Sequence, residues 1–335
     1  ARAGAVGHGA EGEGLMFRVL DVGEDGVARE STGIEGVAPP PAGALRWIDV
    51  SAQDEAQLAL LRERFGFHPL ALEDCAHFDQ RPKLEEYGDY LFLVMHGFVC
   101  PAGDPTHVEV RELHAFLGAG YLVTVHDAPV APLEQVWSRV AGDPLLAKRG
   151  MDFVYYLVVD AMVDANFPIL DLIAQELDDL EDAILAGADR RDLTRMFQLK
   201  RVLVTMRRNL SPQRDLFGLL SKRGDARIGE RTALYFRDVY DHLVRIYEAI
   251  DTGRDLLANS FDAYLSMVSN RTNDIMRRLT LFSVIFLPLT FITGFFGQNF
   301  AHLPFDSWVL MLATIVACVA VPVGMLVWFR KSDWI

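Results

Sequence analysis

Cysteine is scarce in this sequence. Cys75, Cys100 and Cys318 form no C-x-x-C pair and no even set, which excludes a disulfide scaffold or a cysteine-built zinc site and fits a reducing compartment. No phosphate-cradling glycine loop, nucleophile elbow, H-E-x-x-H helix or kinase signature occurs, so no enzyme is expected. Basic residues are also in deficit: 32 Lys and Arg stand against 46 Asp and Glu, a net charge of −14. That balance excludes nucleic acid as a natural partner, because phosphates need a basic surface. Charge of either sign nearly disappears at the end of the chain. From Leu279 to Ile335 the charged residues are Asp306, Arg330, Lys331 and Asp333. A strongly acidic body is therefore joined to an almost uncharged tail, and a purely soluble protein is not expected.

Residues 1–14 are rich in Gly and Ala with no apolar core, so they do not read as a signal peptide and are expected to be disordered. Residues 15–150 read as a cytoplasmic α/β domain. Short β-type runs at Leu15–Leu20, Leu45–Val50, Tyr90–Val99, Val108–Leu117 and Tyr121–Val125 alternate with helical pieces at 54–65, 69–76 and 130–140. The segment 33–44, ending in three prolines, reads as a loop. From Met151 the pattern is helical throughout and predicts a stalk over 151–278. One helix is expected over 151–187, a second over 191–222 with a bend at Ser211-Pro212. A third begins near Glu230 and meets no proline before Pro288. A single Gly costs an exposed helix only about 1 kcal/mol, so Gly253 need not end it. The third helix is expected to reach about Phe296.

Two segments meet the bilayer criterion. Leu279–Phe296 has 18 uncharged residues and Trp308–Phe329 has 22, where about 20 are needed to cross a hydrocarbon layer of ~30 Å. The loop 297–307 between them is too short for a domain, so the pair reads as a transmembrane hairpin followed by a basic tail, 330–335. Arg271, Arg277 and Arg278 precede the first span, Arg330 and Lys331 follow the second, and the loop carries no Lys or Arg. The positive-inside rule then places both termini and the body in the cytoplasm, with the hairpin in the cell inner membrane.

Two spans per chain cannot enclose a polar path, so any conduit needs several copies. The first span carries a pattern that fits one. Asn273, Met276, Thr280, Ser283, Leu287, Thr290 and Gly294 recur at alternating steps of three and four, the spacing that keeps one seam toward a bundle axis. Backwards, the same register selects Ser269, Ser266, Asp262, Asn259 and Asp255. A mostly polar or small seam inside a membrane is costly unless it lines water. The alternative is a polar face turned to solvent below residue 278, with the Ser and Thr hydroxyls bonding their own helix carbonyls above it. On the pore reading, Met276, with Leu279 or Thr280, and Leu287 form apolar constrictions that block a hydrated ion by dewetting. Pro288 frees the carbonyl of Val284 and marks a bend.

With these segments in place the sequence resembles the CorA family of divalent-cation transporters. The resemblance rests on VSNRTNDIMRRLT at Val268–Thr280, LPLTFITGFFGQNF at Leu287–Phe300, HPLALED at His68–Asp74, QRPK at Gln80–Lys83 and YFRDVYDH at Tyr235–His242. It implies an α+β cytoplasmic domain, a long-helix bundle and two transmembrane helices per subunit, assembled as a funnel-shaped homopentamer in a lipid bilayer. It also implies transport of Mg2+, with Co2+ or Ni2+ as further cargo, down the electrochemical gradient and gated by intracellular Mg2+. The family signature Gly-Met-Asn stands here as Gly297-Gln298-Asn299. Asn299 keeps an amide that can hydrogen-bond the water shell of Mg2+, which dehydrates reluctantly. Gln298 makes the selectivity mouth more polar and leaves the preferred ion open. A zinc transporter of the ZntB branch is the alternative, and a membrane-anchored cation sensor that conducts nothing is a further one. His302 in the loop is a candidate soft-metal ligand.

Five carboxylates fall within seven helical residues at Glu176, Asp178, Asp179, Glu181 and Asp182, either a solvated face or a surface that concentrates cations. The resemblance places Glu73 and Asp74 opposite Asp238 across a subunit boundary, and Asp160 and Asp164 at further acidic positions. It makes these residues the expected regulatory Mg2+ ligands.

Overall fold

In the computed structural model, which describes residues 17–51, 54–187, 189–222, 227–298 and 307–332, the chain divides between Phe261 and Asp262 into two units. In the first unit, seven strands form one mixed sheet in the order β2-β1-β3-β7-β6-β5-β4. The strands are β1 Phe17–Val22, β2 Ala28–Thr32, β3 Leu45–Ser51, β4 Lys83–Tyr87, β5 Tyr90–Val99, β6 Glu109–Gly118 and β7 Tyr121–His126. β3 and β7 run parallel and every other neighbour is antiparallel. The apolar runs of the sequence became the five inner strands; β5 and β7 are buried along almost their whole length. β2 (AREST) and β4 (KLEEY) are the two strands that sequence periodicity did not announce. Both are sheet edges, where exposed polar residues guard against pairing with other chains, so neither carries an alternating apolar signal.

Helices cover both faces. α1 (Glu55–Phe65) and α2 (Pro69–Ala76) pack on the face that carries Val19, Ile48, Phe92, Phe116 and Val123. Asp54 caps α1 by accepting from the Ala56 N–H at 2.9 Å. Gly66 ends it in the left-handed region at φ 68°, its N–H bonded to the Arg62 carbonyl. The chain then turns at once into α2, where Pro69 occupies the first turn. The opposite face packs α3 (Ala131–Gly142) and α4 (Met151–Asp164); Trp47 of β3 meets Trp137 of α3 with ring centroids 4.8 Å apart. α4 is apolar almost all round and correspondingly buried.

The helix expected over 151–187 is two helices. α4 ends at Asp164, Ala165 intervenes, and α5 runs Asn166–Gly187. Pro168 has no N–H for the Asp164 carbonyl, and the buried Asn166 amide donates to the carbonyls of Met162 and Val163 at 3.2 and 2.9 Å. α6 (Arg190–Leu220) opens on a capping box formed by Asp189 and Asp192 and continues through Pro212. α7 (Glu230–Phe296) is one continuous helix through Gly253 and Pro288. Gly253 is buried, with Leu177 and Leu203 at ordinary contact distance from where its Cβ would stand, so there it serves packing. In the second unit α7 is followed by α8 (Trp308–Lys331). Both helices contain a window long and apolar enough to cross a membrane, with mean hydropathy 2.1 and 2.5.

Candidate metal centre and permeation seam

The break between α4 and α5 places two carboxylates at a helix end. Asp160 and Asp164 lie one turn apart at the C-terminal end of α4, where the helix dipole favours a cation. α7 brings His242 to them: its Nδ1 stands 2.9 Å from Asp164 Oδ1 without hydrogen-bond alignment, and its Nε2 is 4.0 Å from Asp238 Oδ2 on the preceding turn. One ligand atom from each of Asp160, Asp164 and His242 fits within 4.8 Å of the others, a spacing that suits a single metal ion. Burial first, and then the Asp164 carboxylate, push the Asp160 carboxyl above the usual carboxylate range. Tyr156, hydrogen-bonded to Asp160, has its phenol pushed up by burial and by Asp160 and Asp238. Three acids around one imidazole leave an excess of negative charge that a divalent cation would relieve. His242 was legible only as part of the YFRDVYDH run. Its signal is the i, i+4 spacing from Asp238, which puts both on one face of α7.

The other expected regulatory pair is arranged differently. Asp74, near the end of α2, is bound by Lys83 Nζ at 2.7 Å, and Lys83 also holds Glu85 at 2.9 Å. The charge of Asp74 is therefore partly neutralised within its own chain, while Glu73 beside it is exposed. Of the acidic run on α5, Glu176 pairs with Arg195 of α6 at 2.8 Å. Asp178, Asp179, Glu181 and Asp182 are exposed or half-exposed.

In the second unit the seam residues Asp262, Asn273, Met276, Leu279, Thr280, Ser283, Leu287, Thr290 and Gly294 are all exposed. Thr280, Ser283 and Thr290 donate to the carbonyls four residues earlier, those of Met276, Leu279 and Phe286, at 2.8 to 3.0 Å. Thr293, off the seam, does the same to Leu289, so this bonding belongs to hydroxyls on an apolar helix generally. With its proton committed to the backbone, each seam hydroxyl offers acceptor lone pairs outward. α7 closes with Gly297 N–H donating to the Thr293 carbonyl at 2.9 Å and Gln298 N–H to that of Phe295 at 3.3 Å. A Cβ on Gly297 would stand 3.1 Å from the Thr293 carbonyl oxygen, so the glycine suits a tight helix end. Asn299, His302 and Asp306 lie outside the described residues.

The family described as "CorA-like Mg2+ transporter protein" matches residues 42–331. YfjQ of Bacillus subtilis is 34% identical over 302 residues, covering 90% of this chain and 93% of its own. The cobalt/magnesium transport protein CorA of Thermotoga maritima is 33% identical over 310 residues, covering 91% and 88%. The solved structure of the CorA magnesium transporter from Methanocaldococcus jannaschii superposes with a TM-score of 0.83 at 23% identity, covering 96% of this chain and 99% of that one. The zinc transport protein ZntB of Yersinia enterocolitica is more distant, 23% identical over 258 residues, or 76% of this chain and 77% of its own.

Proposed function

This chain belongs to the family of CorA-like Mg2+ transporter proteins, a family of divalent-cation transporters, and we propose that it forms a homopentameric inner-membrane channel for hydrated Mg2+. The observation that carries permeation is the seam on α7, whose hydroxyls present acceptors along an otherwise apolar helix. The waters around a hydrated cation donate hydrogen bonds, so acceptor lone pairs match them and repel a bare anion. Asn299 forms the entry ring, Gly297 lets the chain turn directly after the helix, and Gln298 adds a second amide to the mouth. Met276, Leu279 and Leu287 form the apolar constrictions, with Thr280, Ser283, Thr290 and Gly294 between them and Asn273 and Asp262 on the cytoplasmic approach. Both termini face the cytoplasm.

Regulation uses the acidic residues of the body. Asp160, Asp164, His242 and Asp238 form one cation site at the end of α4. Glu73 and Asp74 of one subunit supply another opposite Asp238 of the next, where Mg2+ can keep water and bridge carboxylates. Occupancy on the cytoplasmic side stabilises the closed ring, a population shift bounded by the ion's differential affinity for the two states. Cargo is Mg2+ first and Co2+ or Ni2+ next. The greater distance of ZntB ranks Zn2+ behind them.

Flux into liposomes of reconstituted protein, compared for Mg2+, Co2+, Ni2+ and Zn2+ with Mg2+ added inside or outside, tests this reading. Mg2+ entry that internal Mg2+ suppresses is expected. Zn2+ entry without Mg2+ entry, or no flux of any ion, overturns it.

A further inference from the structure

The acidic run on α5 has a counterpart on α6, and neither permeation nor the cation sites employ the two. α5 buries Ile169, Ile173, Leu177, Leu180 and Ile184 and turns Asp171, Gln175, Asp178, Asp182 and Leu185 outward. α6 buries Met196, Leu199, Val202, Leu203 and Met206 and turns Arg190, Thr194, Phe197, Arg201, Val204 and Arg208 outward. Both outward rows advance by alternating steps of four and three, the spacing of a seam that packs against another helix. Among the described residues, none of the charged groups in these two rows forms an ion pair. Glu176 and Arg195, where α5 and α6 meet, instead bind each other at 2.8 Å. Phe197, Val204 and Leu185 remain 54%, 46% and 60% exposed.

The two helices are segregated by sign. α5 has six acids and no base, and α6 has eight bases against two acids, in a chain whose net charge is −14. A helix face meant only for water gains from mixing the signs, because like charges one turn apart destabilise the helix. Asp178 and Asp182 stand one turn apart with no base in their row, and the outward row of α6 from Arg190 to Arg208 holds no acid. The shoulders repeat the pattern: Asp179 and Glu181 are exposed beside the α5 row, and Lys200 beside the α6 row. α6 therefore calls for a partner helix that offers acids and an apolar side chain at matching spacing, and α5 offers both. A chain cannot close this contact on itself, because each row points away from its own core. An anionic bilayer is a poorer match, since the acids of α5 beside α6 would be brought to the same headgroups.

We propose that the basic row of α6 docks onto the acidic row of α5 in a second copy of this chain, forming a clasp between the bodies of neighbouring subunits. The inference rests on the homo-oligomer reading above and adds to it a contact outside the membrane spans. A patch that binds a different patch on the next copy is heterologous, and such contacts close into a ring when the rotation allows. Arg190, Arg201 and Arg208 meet carboxylates of the neighbouring α5, while Phe197 and Val204 lose water against it. Exposed ion pairs are individually weak and screened by salt. The clasp is therefore a reversible contact, firmest where the apolar side chains sit between the charges.

Carbodiimide cross-linking of the full-length protein in detergent tests the clasp, because this reagent joins a lysine amine directly to a carboxylate. The wild type is expected to yield covalent dimers and longer ladders at a yield independent of protein concentration. Peptide mass spectrometry should trace them to Lys200 and the carboxylates of residues 171–182. Lys200→Arg keeps the charge but removes the amine, and should remove these links. Arg201→Glu with Arg208→Glu should lower the ladder yield at least about tenfold, since like charges then face each other across the contact. Adding Asp178→Lys and Asp182→Lys should restore links between copies through the two swapped helices. Adding Glu35→Lys and Glu63→Lys instead, which returns the same net charge elsewhere on the surface, should not. Native mass spectrometry of the same samples gives the subunit number. An oligomer without links from Lys200 to residues 171–182, or equal restoration by the Glu35 and Glu63 changes, overturns the clasp and leaves the oligomer reading standing. A monomer overturns both. Shielding of Lys200 from acetylation in nanodiscs of anionic but not zwitterionic lipid, without links between copies, assigns the face to lipid headgroups and also overturns the clasp.

Discussion

In the first unit Trp47, Phe67, Tyr155 and Phe236 are each less than 2% exposed, whereas in the second Leu287, Phe291 and Trp308 are 74%, 71% and 71% exposed. The same kinds of side chain thus meet opposite surroundings. The body places its apolar residues between a sheet and two helical layers and pairs its buried charges. Arg18, for instance, reaches both Asp49 and Glu134 and stacks over Trp137. Residues 262–332 bury, among those described, Phe329 alone, and the hydroxyls of Thr272, Thr280, Ser283, Thr290, Thr293 and Thr314 bond their own helix. An apolar surface of that extent is stable only when lipid or further copies of the chain cover it. The body is a self-sufficient fold, and the membrane unit is a set of interfaces. Asymmetry of this kind suits a transporter, whose folded body stands on its own while its membrane part needs lipid or further copies around it.

The sharpest way to break this contrast is at Asn299, the proposed entry ring. Asn299→Ala is expected to abolish Mg2+ flux in liposomes while leaving the unfolding temperature of the body unchanged, and Gln298→Met should keep most of the flux. In the body, Phe67 is 1% exposed, stacked on Phe116 at 4.0 Å and against Phe65 at 5.0 Å. Phe67→Ala should cost about 3–5 kcal/mol in denaturant unfolding. By contrast, Leu287→Ser should leave unfolding of the body unchanged and raise leak conductance in planar bilayers. A large loss of body stability from Leu287→Ser would mean that the two units are not energetically separate.

A gentler effect comes from the buried pair His126 and Asp49, whose closest approach is 3.4 Å. Burial opposes the charge on each, but the hydrogen bond and mutual attraction raise His126 above its ordinary 6.5 and lower Asp49 below its ordinary 3.8. The stability owed to His126 is complete below pH 6.5 and is lost as pH rises through its raised folded value. That owed to Asp49 is complete above pH 3.8 and is lost as pH falls through its lowered folded value. Thermal unfolding of the body should therefore fall off on the alkaline side of pH 6.5, and His126→Gln should flatten that limb by about 1 kcal/mol. The smallest change is expected for Glu176→Gln. It removes a partly exposed ion pair with Arg195 worth roughly 0.2–1 kcal/mol, readable as a shift in unfolding midpoint that added salt erases.

Much of this protein follows from the chain itself. Two spans, one helix uninterrupted from Glu230 to Phe296 and five of seven strands are written in local patterns. Uninterrupted apolarity, the absence of a helix breaker and period-two alternation all act over a few residues, so no tertiary information is needed to see them. Edge strands β2 and β4 were hidden because an edge is defined by what lies beside it in space. The break at Ala165 depends on the Asn166 amide turning back onto two carbonyls as well as on Pro168. The acids at 160, 164 and 238 were legible as residues, yet only the packing of α7 beside α4 brings His242 to Asp164. Likewise, Cys75, His96, Glu112 and His114 are unremarkable in sequence. The antiparallel register that sets His96 opposite Glu112, and the seating of α2 over β6, join them into one buried polar cluster, because side chains far apart along the polymer meet only after the sheet has closed around them.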